Sequence, residues 1–271
     1  RVLILIEDHT AARRVEAMRR DFVANVSHEL KTPVGAIQLL AETVEVGADD
    51  PDFVRDYSGR MRKEARRLGV LVQEIIELTR LQEGDALAEP EVVDIDAVVA
   101  EAVDRVRVEA DGSQIALVAG GTQGLRVRGD SALITTAVRN LLDNAIRYSE
   151  PRTRVSVGVS LDAEDPDIVR IAVVDQGIGI PKEEQERVFE RFYRVDKARS
   201  RATGGTGLGL SIVKHVAADH GGAVELWSSP GRGSTFTLVL PRLGEGELVQ
   251  SEPPQDNPAD DAAGQSTRSA S

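Results

Sequence analysis

The chain contains no cysteine, which excludes disulfides, thiolate zinc sites and thiol nucleophiles and suits a reducing compartment. Aromatic residues make up only 3% of its 271 positions, so any core must be built from Val, Leu, Ile and Ala. Long apolar runs are missing too. The longest near the start, "VLILI" at residues 2–6, falls far short of the roughly 20 residues that span a bilayer, and it lacks the layout of a signal peptide. Basic charge is in deficit: the formal net charge is -12. That argues against a general nucleic-acid binder. An anionic ligand must therefore be held by a local basic patch or by a metal ion.

What is present is ordinary for a globular protein, with 41% apolar and 29% charged residues. The length allows one large or two modest domains. The first residue is Arg and not Met, so a fragment is expected, with any membrane anchor in the missing part.

Residues 2–9 read as a strand ending in a turn. A helical pattern then runs from about Thr10 to Val46, with Phe22, Val26, Leu30, Val34, Ile37 and Leu40 at spacings of three and four. "GADDPD" at 47–52 is a tight polar connection. A second helix, from about Asp52 to Leu81, carries Phe53, Tyr57, Met61, Leu68, Leu71, Ile75 and Leu78. Two long helices joined this way make an antiparallel hairpin. Two helices cannot enclose a core, so a homodimeric four-helix bundle is expected, the alternative being that the stripes pack on a second domain. "QEGDALAEP" at 82–90 is a linker. From Val92 onward strands and helices mix, as in an α+β sandwich. After Leu243 almost nothing remains to bury, and the tail reads as disordered.

Within the first helix, Val26 and Leu30 each lie about 200° from His28, which turns the imidazole away from the apolar stripe. Thr32 is about 40° from His28 on the same face, and Glu29 is its neighbour. Pro33 cannot bond the carbonyl of Glu29, so a kink is expected one turn past the histidine. An accessible imidazole with a carboxylate beside it suits nucleophilic chemistry, because the carboxylate can fix the tautomer and take a proton. Taken alone, the pattern is better read as a surface histidine beside an ordinary proline kink. His9, His215 and His220 have no such surroundings and are read as structural or solvated.

In "VRNLLDNAIRYS", Asn140, Asn144 and Arg147 share one helical face. An amide oxygen is a reasonable ligand for Mg²⁺ whose shell is completed by phosphates, and arginine meets phosphate. A solvated helix face is the plain alternative, strongest for Asn140. "VVDQGIGIP" sets Asp175 at a strand end before Gly177 and Gly179. A carboxylate there can accept from the amine of adenine, and the glycines let a ring approach the backbone. Gly204, Gly205, Gly207 and Gly209 precede a helix whose free amides suit phosphate. A glycine string alone is weak, but no dinucleotide-type acid and no P-loop Lys accompany this one. "GRGSTF" at 231–236 reads as a hairpin turn. Between these motifs lies a basic stretch with Arg191, Arg194, Lys197, Arg199 and Arg201, a candidate lid over polyphosphate anchored by Phe189 and Phe192.

"SHELKTP" resembles the dimerisation and phosphoacceptor box of two-component sensor histidine kinases. The order of the later motifs resembles the ATP-binding domain that this family shares with the gyrase, Hsp90 and MutL ATPases. The likeness covers about residues 12–241. It implies phosphorylation of His28, participation of Glu29 in transfer, and a water-positioning role for Thr32 when a response regulator is dephosphorylated. It implies Mg²⁺ on Asn144, adenine on Asp175, and ATP surrounded by Asn140, Arg147, Tyr148, Gly177, Gly179, Arg194, Lys197, Gly205, Gly207, Leu208 and Gly209. Lys31 stands where many relatives carry Arg, which keeps the charge.

The opening "VLILIEDHTAARRVE" resembles the last strand and exit helix of a PAS sensor domain. The string from Arg191 to Gly222 further resembles actinobacterial sensor kinases near the phosphate-responsive group. The expected division is residues 1–11 as the end of a sensor and linker, 12–82 as the phosphotransfer hairpin, 83–91 as linker, 92–243 as catalytic domain and 244–271 as tail. The expected function is ATP-dependent autophosphorylation of His28 and transfer to an aspartate of a response regulator. The expected form is a homodimer that binds no nucleic acid, the cytoplasmic portion of a membrane-anchored protein. A net phosphatase, a nucleotide-switched scaffold and a gyrase- or Hsp90-type ATPase are the alternatives. The last has no use for "SHELKTP".

Overall fold

A computed structural model describes residues 10–82, 90–195 and 205–244. The expected strand at 2–6, most of the linker, the distal lid residues Lys197, Arg199, Arg201 and Gly204, and the tail from 245 lie outside the described residues.

Helices α1 (Thr10–Val46) and α2 (Pro51–Gln82) form the hairpin. Asp50 starts α2 by accepting from the amides of Asp52 and Phe53 at 3.0 and 3.2 Å, which satisfies two donors that a helix start leaves open. Gly47 makes the connection possible, since a side chain there would run into the ring of Phe53. That ring in turn stacks on Tyr57 at 4.2 Å. Pro33 sits inside α1, where it is buried.

The second part begins with β1 (Glu91–Asp94) and α3 (Ile95–Gly112), followed by β2 (Ala116–Gly121) and β3 (Arg126–Gly129). Next come α4 (Ser131–Tyr148), β4 (Arg154–Leu161) and β5 (Ile168–Val174). Short turns of 3₁₀ helix at Lys182–Glu184 and Arg187–Phe189 lead to α5 (Gly209–Asp219) and the strands β6 (Ala223–Ser229) and β7 (Gly233–Pro241). Asp94 caps α3 and Asp130 caps α4, in each case with its carboxylate on first-turn amides.

The main sheet has the order β2-β4-β5-β7-β6; β2 and β4 run parallel and the other pairs antiparallel. A two-stranded sheet, β1-β3, flanks it. Period-two alternation places Val155, Val157, Val159, Val169, Ile171, Val173, Phe236, Leu238 and Leu240 on the buried face. Ala102, Val106, Ile134, Leu141, Ile212 and Val216 of α3, α4 and α5 belong to the same core. This is the two-layer sandwich expected from the sequence.

The hairpin joins that core through one end of α2. Leu71, Leu78 and Leu81 are buried in the same cluster, with Phe22, Leu30 and Ile75 packed against it. Each buried leucine contributes about 1.5–3 kcal/mol. Part of the expected alternative, stripes packing on the second domain, therefore holds for these residues. Val23, Val34, Leu39, Val72 and Ile76 of the hairpin stay exposed.

Candidate functional site

The strand β5 ends at Val174 and delivers Asp175 to the floor of a cavity of about 410 Å³. Asp175 Oδ1 accepts from the amides of Gly177 (2.8 Å) and Ser234 (3.1 Å), which fixes the carboxylate. Burial pushes its pKa up, while those hydrogen bonds pull it back. Gly177 supports the turn from behind: a side chain there would meet the carbonyl of Tyr148 at 2.5 Å. Gly179, with φ of +70°, does face the cavity.

Asn140, Asn144, Arg147 and Tyr148 line the opposite wall on α4. Asn140 is buried, not solvated. The Nδ2 of Asn140 and the Nε atoms of Arg147 and Arg194 are shut off from solvent without a hydrogen-bond partner. Orphaned donors of this kind are costly in a finished core and suit an anionic or polar ligand.

Gly205, Thr206, Gly207 and Gly209 close the third side. Gly207 has φ of +78°, and any side chain on it would come within 2.9 Å of the Phe192 backbone. Helix α5 starts without a side-chain cap, so its first amides remain open toward this side, as phosphate binding requires. Leu208 is wholly buried and does not line the cavity. No group of three or more His, Cys, Asp or Glu residues suited to a metal ion occurs among the described residues. A divalent ion beside Asn144 would therefore take most of its ligands from phosphate and water, which is how Mg²⁺ commonly binds.

His28, Glu29 and Thr32 sit apart from this cavity. His28 is exposed, with 71% of its side chain accessible, as its place on the helix predicted. Its Nδ1 is 3.8 Å from Glu29 Oε1, too far for a hydrogen bond. Glu29 is engaged elsewhere: Arg194 donates to its Oε2 at 2.9 Å and to the carbonyl of Thr206 at 2.8 Å. Thr32 donates to the carbonyl of His28 at 3.3 Å. Arg194 thus spans from the cavity to α1, and its side chain is only 6% exposed. The preceding residues clamp the same helix. Phe192 lies 6.0 Å from the ring of Phe22, and Arg191 stacks over Phe22 at 5.6 Å. Phe189 packs edge-on to Phe236 at 6.2 Å in the core.

The remaining histidines are structural where described. His220 accepts from the Asp130 amide at 3.0 Å through Nε2 and contacts the Val216 carbonyl at 2.7 Å through Nδ1. His215 joins Arg191 to the Ser211 carbonyl.

Residues 129–244 match the family described as histidine kinase-, DNA gyrase B-, and HSP90-like ATPase, and residues 18–84 match the His Kinase A (phospho-acceptor) domain. The solved mycobacterial sensor histidine kinase MprB is 36% identical; the match covers 56% of this chain and 97% of that one, with a TM-score of 0.50. The chain belongs to the two-component sensor histidine kinases. It is 54% identical over 250 residues to the sensor-like histidine kinase SenX3 of Mycolicibacterium smegmatis, covering 92% of this chain and 64% of that one. It is 35% identical to the phosphate regulon sensor protein PhoR of Pseudomonas aeruginosa, covering 87% of this chain and 53% of the relative. These matches agree with the actinobacterial, phosphate-type likeness read from the lid and α5. The chain spans less than two thirds of the length of these curated relatives.

Several residues of the site were not singled out in the sequence. Thr206 stood between two noted glycines and was readable there. Glu74 and Gln73 of α2, and Asp143 of α4, also line the cavity. Nothing in "LVQEIIELTR" distinguishes Glu74 from any polar helix position, because the feature that matters is which domain docks against it. Burial raises Glu74 to about 7, and burial with Glu109 nearby raises Asp143 to about 6.

Proposed function

We propose that this chain is the catalytic portion of a sensor histidine kinase that binds ATP between Asp175 and the glycine-rich start of α5 and phosphorylates His28. The carrying observation is Arg194, which joins the cavity wall at Thr206 to Glu29, the neighbour of an exposed imidazole. In this reading Asp175 binds the adenine amine. Asn140, Arg147, Tyr148, Arg194, Lys197 and the glycines 205, 207 and 209 surround the rest of the nucleotide. Asn144 holds a Mg²⁺ ion, which supplies charge neutralisation at the phosphates. A ring nitrogen of His28 attacks the γ-phosphorus as the bond to the ADP oxygen breaks, and Glu29 takes the proton lost from the other ring nitrogen. Positioning and charge neutralisation carry most of such catalysis. The phosphoryl group then passes to an aspartate of a response regulator.

The domain division proposed is a phosphotransfer hairpin at 12–82 and a catalytic domain at 92–243. The exposed hairpin residues Val23, Val34 and Leu39 support a homodimer in which a second hairpin covers them. Among the described residues no helix is long and apolar enough to cross a membrane.

The test is incubation with γ-labelled ATP and Mg²⁺. Protein-bound label that is acid-labile, alkali-stable and absent from His28→Gln is expected. Label that persists in His28→Gln overturns the assignment. One observation favours regulator dephosphorylation as a second activity: here His28 is outside the cavity and Glu29 is held by Arg194. Thr32→Ala is then expected to lengthen the lifetime of the phosphorylated regulator, and an unchanged lifetime removes Thr32 from that reaction.

A further inference from the structure

Helix α2 supplies part of the wall of the nucleotide cavity, through Val70, Gln73 and Glu74. Of these, Glu74 carries the charge. The hydroxyl of Thr206 donates to its carboxylate, and that same hydroxyl accepts from the amide of Leu208 at 3.3 Å. Glu74 therefore reaches the glycine-rich turn at the foot of α5. Its second oxygen, Oε2, is shut off from solvent and has no hydrogen-bond partner. The groups that act on it are Arg139, Arg147 and Glu77, while Asp143, Arg105 and Glu109 line the same cavity. A half-satisfied buried carboxylate is costly. Here it stands where donors suited to a phosphate chain converge.

We infer that Glu74 is an anion latch on the nucleotide site: its carboxylate takes up the phosphate-binding side of the cavity while the catalytic domain is docked on α2. This rests on the ATP-binding reading above. A bound polyphosphate and the Glu74 carboxylate repel one another in a space with little water to screen them. Nucleotide binding therefore releases the domain from α2, and by linkage docking weakens nucleotide binding by the same factor. The release grows with phosphate-chain length. Adenosine brings no charge and leaves the latch closed, ADP acts weakly and ATP strongly. The device has a clear use, since the domain must leave its docked place for the cavity to reach His28.

The absence of cysteine makes the test direct. Cysteines introduced at exposed Lys63 and Glu150 carry a pair of spin labels, in a His28→Gln background that blocks phosphorylation. The labelled chain is diluted with unlabelled chain so that only distances within one subunit are read. Distances are measured alone and with adenosine, Mg²⁺–ADP and Mg²⁺–ATP, while binding of each is followed by calorimetry. The expected result is a population shift with ATP of about fivefold or more, the lower end of ordinary site-to-site coupling. The shift should be smaller with ADP, absent with adenosine, and lost with ATP in Glu74→Gln. Glu74→Ala, which also removes the charge, should behave as Glu74→Gln does. ATP that binds without moving the labels, or that moves them equally in the Glu74 variants, overturns the latch and leaves the nucleotide site standing. Failure of ATP and adenosine to bind any of the proteins overturns the site itself, and the latch with it.

Discussion

The two parts of this molecule solve the packing problem differently. The sandwich encloses a continuous core between one sheet face and three helices, with Ile134, Leu141, Ile171 and Leu238 fully buried. The hairpin has the two longest helices among the described residues, yet the buried hydrophobics described in it are Leu71, Leu78 and Leu81, and these belong to the sandwich core. Leu39 remains 64% exposed and Val23 56%. One part is complete in itself. The other is covered at one end by the sandwich and leaves Val23, Val34 and Leu39 exposed. In the function proposed above, a phosphoacceptor that meets an ATP site and then a regulator would benefit from an incomplete surface, because each docking could be exchanged for another.

The largest effect that would test this contrast is a cavity in the sandwich. Ile171→Ala should cost about 2–5 kcal/mol in urea unfolding, since Ile171 is fully buried between β4 and β7. Leu39→Glu should leave that transition in place and instead lower the concentration-dependent association seen by light scattering. If Leu39→Glu unfolds the sandwich while association is untouched, the division between a complete and an incomplete part is wrong.

A smaller effect concerns the join between the two parts. Glu74 has an ordinary pKa near 4.5 and is raised to about 7 when docked, chiefly by burial. A carboxyl group raised in this way favours the docked state when protonated. That contribution is complete below about pH 4.5 and is lost as pH rises through about 7. Its size is on the order of 3 kcal/mol. The nucleotide-free chain should therefore expand between pH 5 and pH 8 in small-angle scattering, and Glu74→Gln should flatten most of that change. An expansion of equal size in Glu74→Gln would assign the pH dependence to another group.

Much of this was legible in the sequence because the signals are local. The 3.6-residue spacing fixed which side of α1 carries His28. Asp175 and its glycines could be read because one turn holds them together. The long-range facts were not readable. That Arg194 bonds Glu29 across 165 positions, and that Glu74 closes the cavity, depend on how two separately folded parts meet. No periodicity records that meeting. Asn140 shows the same limit on a smaller scale: spacing put it on the face of Asn144, but it is buried beside the start of α5, where a Cβ on Gly209 would lie 3.6 Å from its side chain.

The smallest effect compares two helix starts. Asp50 caps α2 at the exposed end of the hairpin, whereas Asp130 caps α4 in the partly buried centre of the sandwich. Both satisfy open amides, so Asp→Ala should cost about 1 kcal/mol at either site by propensity alone. The surroundings separate them. Asp130 is also fixed by His220, which accepts from its amide, and α4 carries one wall of the cavity. Asp130→Ala is therefore expected to weaken ATP binding as well as stability, because the same helix aims Asn140, Asn144 and Arg147. Asp50→Ala should fray α2 only at its far end, lowering helicity on heating and leaving ATP affinity unchanged. A loss of ATP affinity from Asp50→Ala would mean that the far end of the hairpin reports to the nucleotide site along the whole of α2, and the two parts would then behave as one cooperative unit.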